Sequence, residues 1–215
     1  MHIPIRIIAA WLALTSWIFG ADTPAVLPAV QLLKVTILST MLADGDELGE
    51  WGFAALVEAD GHRILFDTGT HSDVVLRNAK TLNIDLTTVP DLVLSHWHSD
   101  HTGGFLTLRR DVMGKTPTAL GRTHVGEGFF LPRTGVPPGI EHNQMIREKP
   151  EYEKLEGVFV EHTKPVQLFP GVWLTGPVPR KHPERNWSGN ARVKTPAGIV
   201  EDTIMDDMAL VSPID

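Results

Sequence analysis

The sequence predicts an α/β layered fold with mixed sheets, on three observations. Short β-type runs recur along the chain, an amphipathic helical stretch lies between two of them, and a continuous apolar strand ends in a histidine-rich turn. The chain has 215 residues, of which 42% are hydrophobic and 21% charged, an ordinary globular composition. No internal repeat, low-complexity tract or linker divides it, so residues 26–215 read as one domain.

Residues 1–25 read as a signal peptide. Behind Arg6, Ile7 to Phe19 is an uncharged apolar run, too short to span a bilayer comfortably, and the small residues Gly20, Ala21 and Ala25 follow it. The expected product is exported, periplasmic or secreted, with an uncleaved N-terminal anchor as the alternative. No later segment is long and apolar enough for a stable membrane span.

Leu32 to Leu38 reads as a strand, and Asp44 to Gly52, acidic and Gly-bearing, as a loop near a site. Phe53 to Ala59 and His62 to Phe66 read as a hairpin turned by Asp60-Gly61. Val74 to Leu82 places Val75, Leu76, Ala79 and Leu82 on one helical face, with Ser72 as N-cap. Asp91 to Ser95 is a short apolar strand, and a helix is expected from Gly103-Gly104 to Arg110. Beyond Lys115 the chain is richer in Pro and Gly, with strands expected near 118–123, 158–162, 172–175 and 203–211.

Composition limits the chemistry. Lys and Arg total 19 against 26 Asp and Glu, a net charge of −7, which excludes nucleic-acid binding through bulk positive charge. Cysteine is absent, so there is no thiolate nucleophile and no Cys-rich zinc site. Any metal must be held by nitrogen and oxygen, and the chain has ten histidines.

The informative segment is Ser95-His96-Trp97-His98-Ser99-Asp100-His101-Thr102-Gly103-Gly104. His96, His98, Asp100 and His101 are candidate metal ligands, because imidazole and carboxylate suit Zn²⁺ and similar divalent ions. In extended backbone His96 and His98 point the same way and can share one ion, while Asp100 and His101, where the chain turns into a helix, can face a second. Asp67 is a candidate to orient a ligating histidine, with stabilisation of the turn at Gly69 as the equal alternative. Asp206 and Asp207 read either as support for the site or as a solvated strand end.

This segment, with Ile64-Leu65-Phe66-Asp67-Thr68-Gly69 upstream, resembles the signature of the metallo-β-lactamase-fold hydrolases. The resemblance implies an αββα sandwich with a divalent metal site at the sheet edge, zinc in the first place and up to two ions. It implies that His96 and His98 bind the first ion and Asp100 and His101 the second. A bridging hydroxide oriented by the catalytic candidate Asp100 would then attack a small ester or phosphorylated substrate. The stretches Ala79 to Gly104, Thr175 to Arg180 (TGPVPR) and Asp206 to Leu210 (DDMAL) further resemble the subfamily of dihydropterin ribofuranosylaminobenzene phosphate synthase.

In that subfamily the chain continues past the DDMAL segment, and later histidines complete the dinuclear site. The resemblance therefore also carries a second reading: a C-terminally incomplete domain that binds metal weakly and turns over little. His124 reads as a substrate-side residue, a ligand or a packing residue. Arg180 and His182 are candidate contacts for a substrate anion. His62, His71, His142 and His162 read as surface residues. The expected partner is a small molecule, with no nucleic acid.

Overall fold

The structure is a computed structural model describing residues 28–135, 139–182 and 191–214; the signal peptide predicted over 1–25 lies outside them. β1 (Leu33–Ser39), β2 (Ala54–Ala59) and β3 (His62–Phe66) form an antiparallel meander. The β2–β3 turn has φ of 47° at Asp60 and 87° at Gly61, the paired positive dihedrals that a tight hairpin needs and that Asp-Gly supplies. The Asp60 carboxylate also accepts from the backbone N–H groups of Gln31 and Leu32 and ties the start of β1 to this turn.

α1 (Val74–Thr81) follows, capped by Asp73 with no side-chain cap bond, so the expected Ser72 cap is not formed. β4 (Asp91–Val93) then adds parallel to β3, and the site loop follows through the single turn α2 (Ser99–Thr102) into α3 (Phe105–Met113). The expected strand at 118–123 starts later, as β5 (Arg122–Gly126). Leu120 takes a φ of 48°, and the carbonyls of Pro117 and Ala119 turn inward onto the fully buried Arg109. Arg109 also bonds Leu155 O, so one guanidinium joins α3, this turn and the helix packed beside it.

β6 (Arg133–Thr134) and α4 (Met145–Lys154) were not signalled by periodicity, because α4 is polar and carries Pro150. What anchors α4 is Tyr152, whose O–H donates to Leu120 O and accepts from Thr123 Oγ1. β7 (Val158–His162) completes a six-stranded sheet of order β1-β2-β3-β4-β5-β7. β8 (Val166–Phe169) and β9 (Val172–Leu174) form a hairpin; β10 (Arg192–Thr195) and β11 (Gly198–Glu201) form another, paired with β6.

The strand expected over 203–211 is only β12 (Leu210–Val211), paired with β9. Ile204 at φ 56° bends the chain, and Asp206 turns into the interior rather than lying along a strand.

Alternation in the large sheet builds two cores. Leu56, Leu65, Leu92, Leu94 and Val125 face one side, where Val75, Phe105 and Tyr152 of the helices cover them. Ile64 and Val93 face the other, against Val172 and Leu174 of β9 and Met208. The two facing sheets with helices outside the large one give the mixed α/β layering expected.

Glu148, in the first turn of α4, yields a prediction. Burial pushes its carboxyl from 4.5 up to about 6, against the opposing charges of Arg147 and Arg110. A raised acid pKa means the folded state holds this proton more tightly than the unfolded chain. Stability is therefore lost as pH rises from 4.5 through about 6, and the full penalty applies above that. Glu148→Gln should stabilise the protein at pH 7.5 by about 1 kcal/mol, allowing for partial solvation, with no gain at pH 4. Urea denaturation at the two pH values measures this.

Candidate metal centre

The site begins with a register. Phe66 of β3 pairs with Val93 of β4, so the residues just beyond the two strands, Asp67 and Ser95, arrive side by side. Asp67 takes a φ of 59°, a left-handed conformation that Asp tolerates better than most residues, and this turns its carboxylate inward. The carboxylate is fully buried. It accepts from Ser95 N at 2.7 Å, Ser95 Oγ at 2.8 Å and His101 Nδ1 at 2.7 Å.

These bonds set the tautomers. With Ser95 Oγ–H given to Asp67, the same oxygen accepts from His96 Nδ1, 3.0 Å away. His96 and His101 thus both use Nδ1 as donor and keep Nε2 for another partner, the arrangement by which a carboxylate orients a ligating imidazole. Asp67 therefore orients His101 as well as making the turn. Ser95 bridges Asp67 and His96, a position that spacing alone does not single out, since nothing in the sequence marks one serine as joining a carboxylate to a histidine.

One donor atom each from His96, Asp100 and His101 lies within 4.8 Å of the others, and His101 Nε2 is 3.7 Å from Asp100 Oδ2. His98 caps the start of α2 with its ring 4.6 Å from that of His96, adjacent to this trio and outside it. The pairing expected from spacing was His96 with His98 and Asp100 with His101; the grouping in the structure is His96, Asp100 and His101, with the His101 ring 4.1 Å from that of His96.

Electrostatics distinguishes the three rings. Burial, with the positive potential of His101, His98, Arg133 and Arg180, pushes His96 down to about 2. Burial also lowers His98, with Asp100 and Asp202 opposing. In His101 burial is outweighed by the bond and charge of Asp67, with Asp100 and Asp207, and its pKa rises. The Asp67 carboxyl is itself raised by burial despite His101 and Ser95. Imidazole nitrogens plus a carboxylate are a donor set that fits a borderline divalent ion such as Zn²⁺.

The backbone beneath the site is close-packed. A Cβ on Gly103 would lie 1.8 Å from Thr70 O, and one on Gly52 would lie 2.9 Å from Asp100 O. Thr68 N donates to His101 O and Phe53 N to Asp100 O. Asp67, Ser95, His96 and His101 line a cavity of about 510 Å³ whose apolar wall includes Val35, Phe53 and Val57.

The remaining candidates lie elsewhere. His124 is buried in β5, with Nε2 3.1 Å from Asp91 Oδ1 and Nδ1 2.9 Å from His162 Nε2. It belongs to this separate polar chain and not to the convergent group; His162 is thereby a partner of a buried histidine rather than a plain surface residue. Arg180 is spent on Asp207 at 2.9 Å and on the carbonyls of Thr203 and Ile204, so it braces the turn that borders the cavity. His182 is exposed, next to residues outside those described. His71 is exposed but held by Glu50, and the ring of His62 stacks on Phe169.

Residues 52–187 match the family model of the metallo-beta-lactamase superfamily, well over half of the chain. The chain belongs to this superfamily. It is also 30% identical, over 131 residues, to the 7,8-dihydropterin-6-methyl-4-(β-D-ribofuranosyl)-aminobenzene-5′-phosphate synthase of Methanocaldococcus jannaschii, a match covering 59% of this chain and 44% of that one. A second protein of that organism, uncharacterised, is 27% identical over 166 residues, 75% of this chain and 59% of its own length. Among solved structures, Tm1679, described as a metal-dependent hydrolase of the β-lactamase superfamily, superposes with a TM-score of 0.62 at 24% identity. That superposition covers 84% of this chain and 61% of Tm1679, and it shows a shared metallo-β-lactamase fold. The chain thus spans about half the length of the curated relatives it matches.

Two outcomes follow from the packing. Ser95→Ala removes a donor from Asp67 and the acceptor of His96, and should weaken Zn²⁺ binding by roughly 10–100-fold in a competition titration. Gly103→Ala should cost about 1–3 kcal/mol in urea denaturation, because the Thr70 carbonyl it meets is backbone and cannot rotate away.

Proposed function

We propose that the protein is a metal-dependent hydrolase, or a related transferase, acting on a small ester or phosphorylated substrate. The observation that carries this reading is the convergence of His96, Asp100 and His101, with the two imidazoles oriented through Asp67 and Ser95 and lining a cavity of about 510 Å³. Three protein donors with room for a fourth partner is the count that catalytic zinc sites use. A divalent ion held there would supply Lewis acidity and make water acidic enough to react near neutral pH.

The chain's own residues have separable tasks in this reading. His96 and His101 present Nε2, Asp100 contributes a carboxylate and orients the attacking water, and Asp67 holds His101 against rotation. His98, beside His96, is available to a second ion. The apolar wall accommodates the non-reacting part of a substrate. The likeness to the M. jannaschii synthase, whose name describes a 5′-phosphate compound, supports a phosphorylated substrate.

Metal analysis and turnover test this together. The purified protein is expected to retain a divalent ion through dialysis and to hydrolyse bis(4-nitrophenyl) phosphate or 4-nitrophenyl acetate. A strong chelator should abolish the activity and Zn²⁺ restore it. His96→Ala should lower affinity by more than the ~100-fold that loss of an outer partner can cost. A wild type that holds no metal, or turnover indifferent to the chelator, would refute the reading.

A further inference from the structure

Outside the ligand group the structure buries a second set of charges. Arg133 of β6 is fully buried between two fully buried carboxylates. Its Nε donates to Asp202 Oδ2 at 2.9 Å and its Nη2 to Asp206 Oδ1 at 2.6 Å. Nη1 donates to the carbonyls of Phe129 and Leu131, so all three guanidinium nitrogens are engaged. The other Asp206 oxygen, Oδ2, accepts the backbone N–H of Trp97 at 2.9 Å, across 109 residues of sequence. The Arg133 guanidinium also lies 4.8 Å from the centre of the Trp97 ring.

Trp97 is the residue between His96 and His98. Its indole Nε1 is buried with no hydrogen-bond partner, so the ring is held by packing and by the guanidinium, not by its own polar atom. Buried ion pairs are often matched in stability by well-packed apolar groups, so this arrangement is better explained by geometry than by stability. Arg suits that use because its fork meets two carboxylates and an aromatic face at once.

We propose that Asp206, oriented by Arg133, is a positioning residue for the His96–Trp97–His98 segment. By fixing the N–H of Trp97, in the first of the two peptides between His96 and His98, Asp206 stops the rotation of that peptide that would swing the His96 ring out of the site. The turn at 203–207 and the β6-β10-β11 sheet thereby govern metal affinity without supplying a ligand. This rests on the metal reading above.

The probe is Co²⁺ added to the metal-free full chain, followed by its visible spectrum. Asp206→Ala should weaken Co²⁺ binding by roughly 10–100-fold and change the visible bands, as loss of an outer support does. Asp202→Asn breaks Arg133's other ion pair without touching the Trp97 N–H. It should lower the melting temperature yet leave Co²⁺ affinity within about threefold and the bands unchanged, since the outer support is kept. A purely structural role predicts similar behaviour from both variants. If Asp206→Ala does not fold, Asp206→Asn and Arg133→Lys carry the same comparison.

A second readout needs no metal: amide hydrogen exchange at Trp97 should accelerate on the order of tenfold or more in the Asp206 variant relative to the rest of β4 and α3. A folded Asp206 variant with wild-type Co²⁺ affinity and bands, or with unchanged exchange at Trp97, would overturn the proposal. Failure of the wild type to take up Co²⁺ would instead sink the metal reading, and the exchange rate alone would then decide whether Asp206 fixes this peptide.

Discussion

The Asp67 carboxylate is the constraint on which the site depends. It is buried at the end of β3, where an uncompensated charge would be expensive, and the surrounding chain is arranged to give it three donors. Those donors come from one segment, Ser95 to His101, so satisfying the carboxylate also fixes the strand end, the orientation of His101 and, through Ser95 Oγ, that of His96. The β3–β4 register and the positive φ at Asp67 are the structural conditions for this.

Two further elements clamp the same segment from opposite sides. From one, the loop after Asp67 lies directly under α2, with Gly103 N on Gly69 O, Gly104 N on Thr68 O and Thr68 N on His101 O. Only glycine fits at 103, since a side chain there would enter the Thr70 carbonyl. From the other side come residues more than a hundred positions later. Met208 N donates to Ser95 O, and Asp206 holds Trp97. The six-residue cluster is contiguous in sequence, but its geometry is set by two other stretches of chain, residues 67–70 and 206–208.

This division explains what could be read from the sequence. The β2–β3 hairpin, α1, β4 and the ligand segment carry local signals: an Asp-Gly turn, helical periodicity, an apolar run and a dense histidine pattern. Asp67 was legible as a candidate because it ends an apolar strand just before a glycine. The later half was less legible because long-range polar contacts override local pattern there. The alternation over 203–211 suggests a strand, yet Asp206 must reach Arg133 and Trp97, and the chain bends at Ile204 to let it. The helix α4 carries a proline and few apolar residues, and it exists because Tyr152 finds two partners under β5. Arg133 had no local mark at all: its role is defined by two carboxylates about 70 residues away in sequence.

The placement of carboxylates also sorts the histidines chemically. His96 touches none, is buried among positive groups and is held neutral far below the usual imidazole range. His101 sits on Asp67 and is held above that range, although both rings belong to one cluster. Burial thus favours the neutral form of His96, while the Asp67 bond favours the protonated form of His101. A cation held there would compete with protons more at His101 than at His96, so its affinity should weaken as pH is lowered. The same Asp67 bond that makes His101 harder to deprotonate orients it and strengthens it as a donor once the proton has left. In this fold, the order of the candidate site and the proton affinity of His101 both depend on one buried carboxylate.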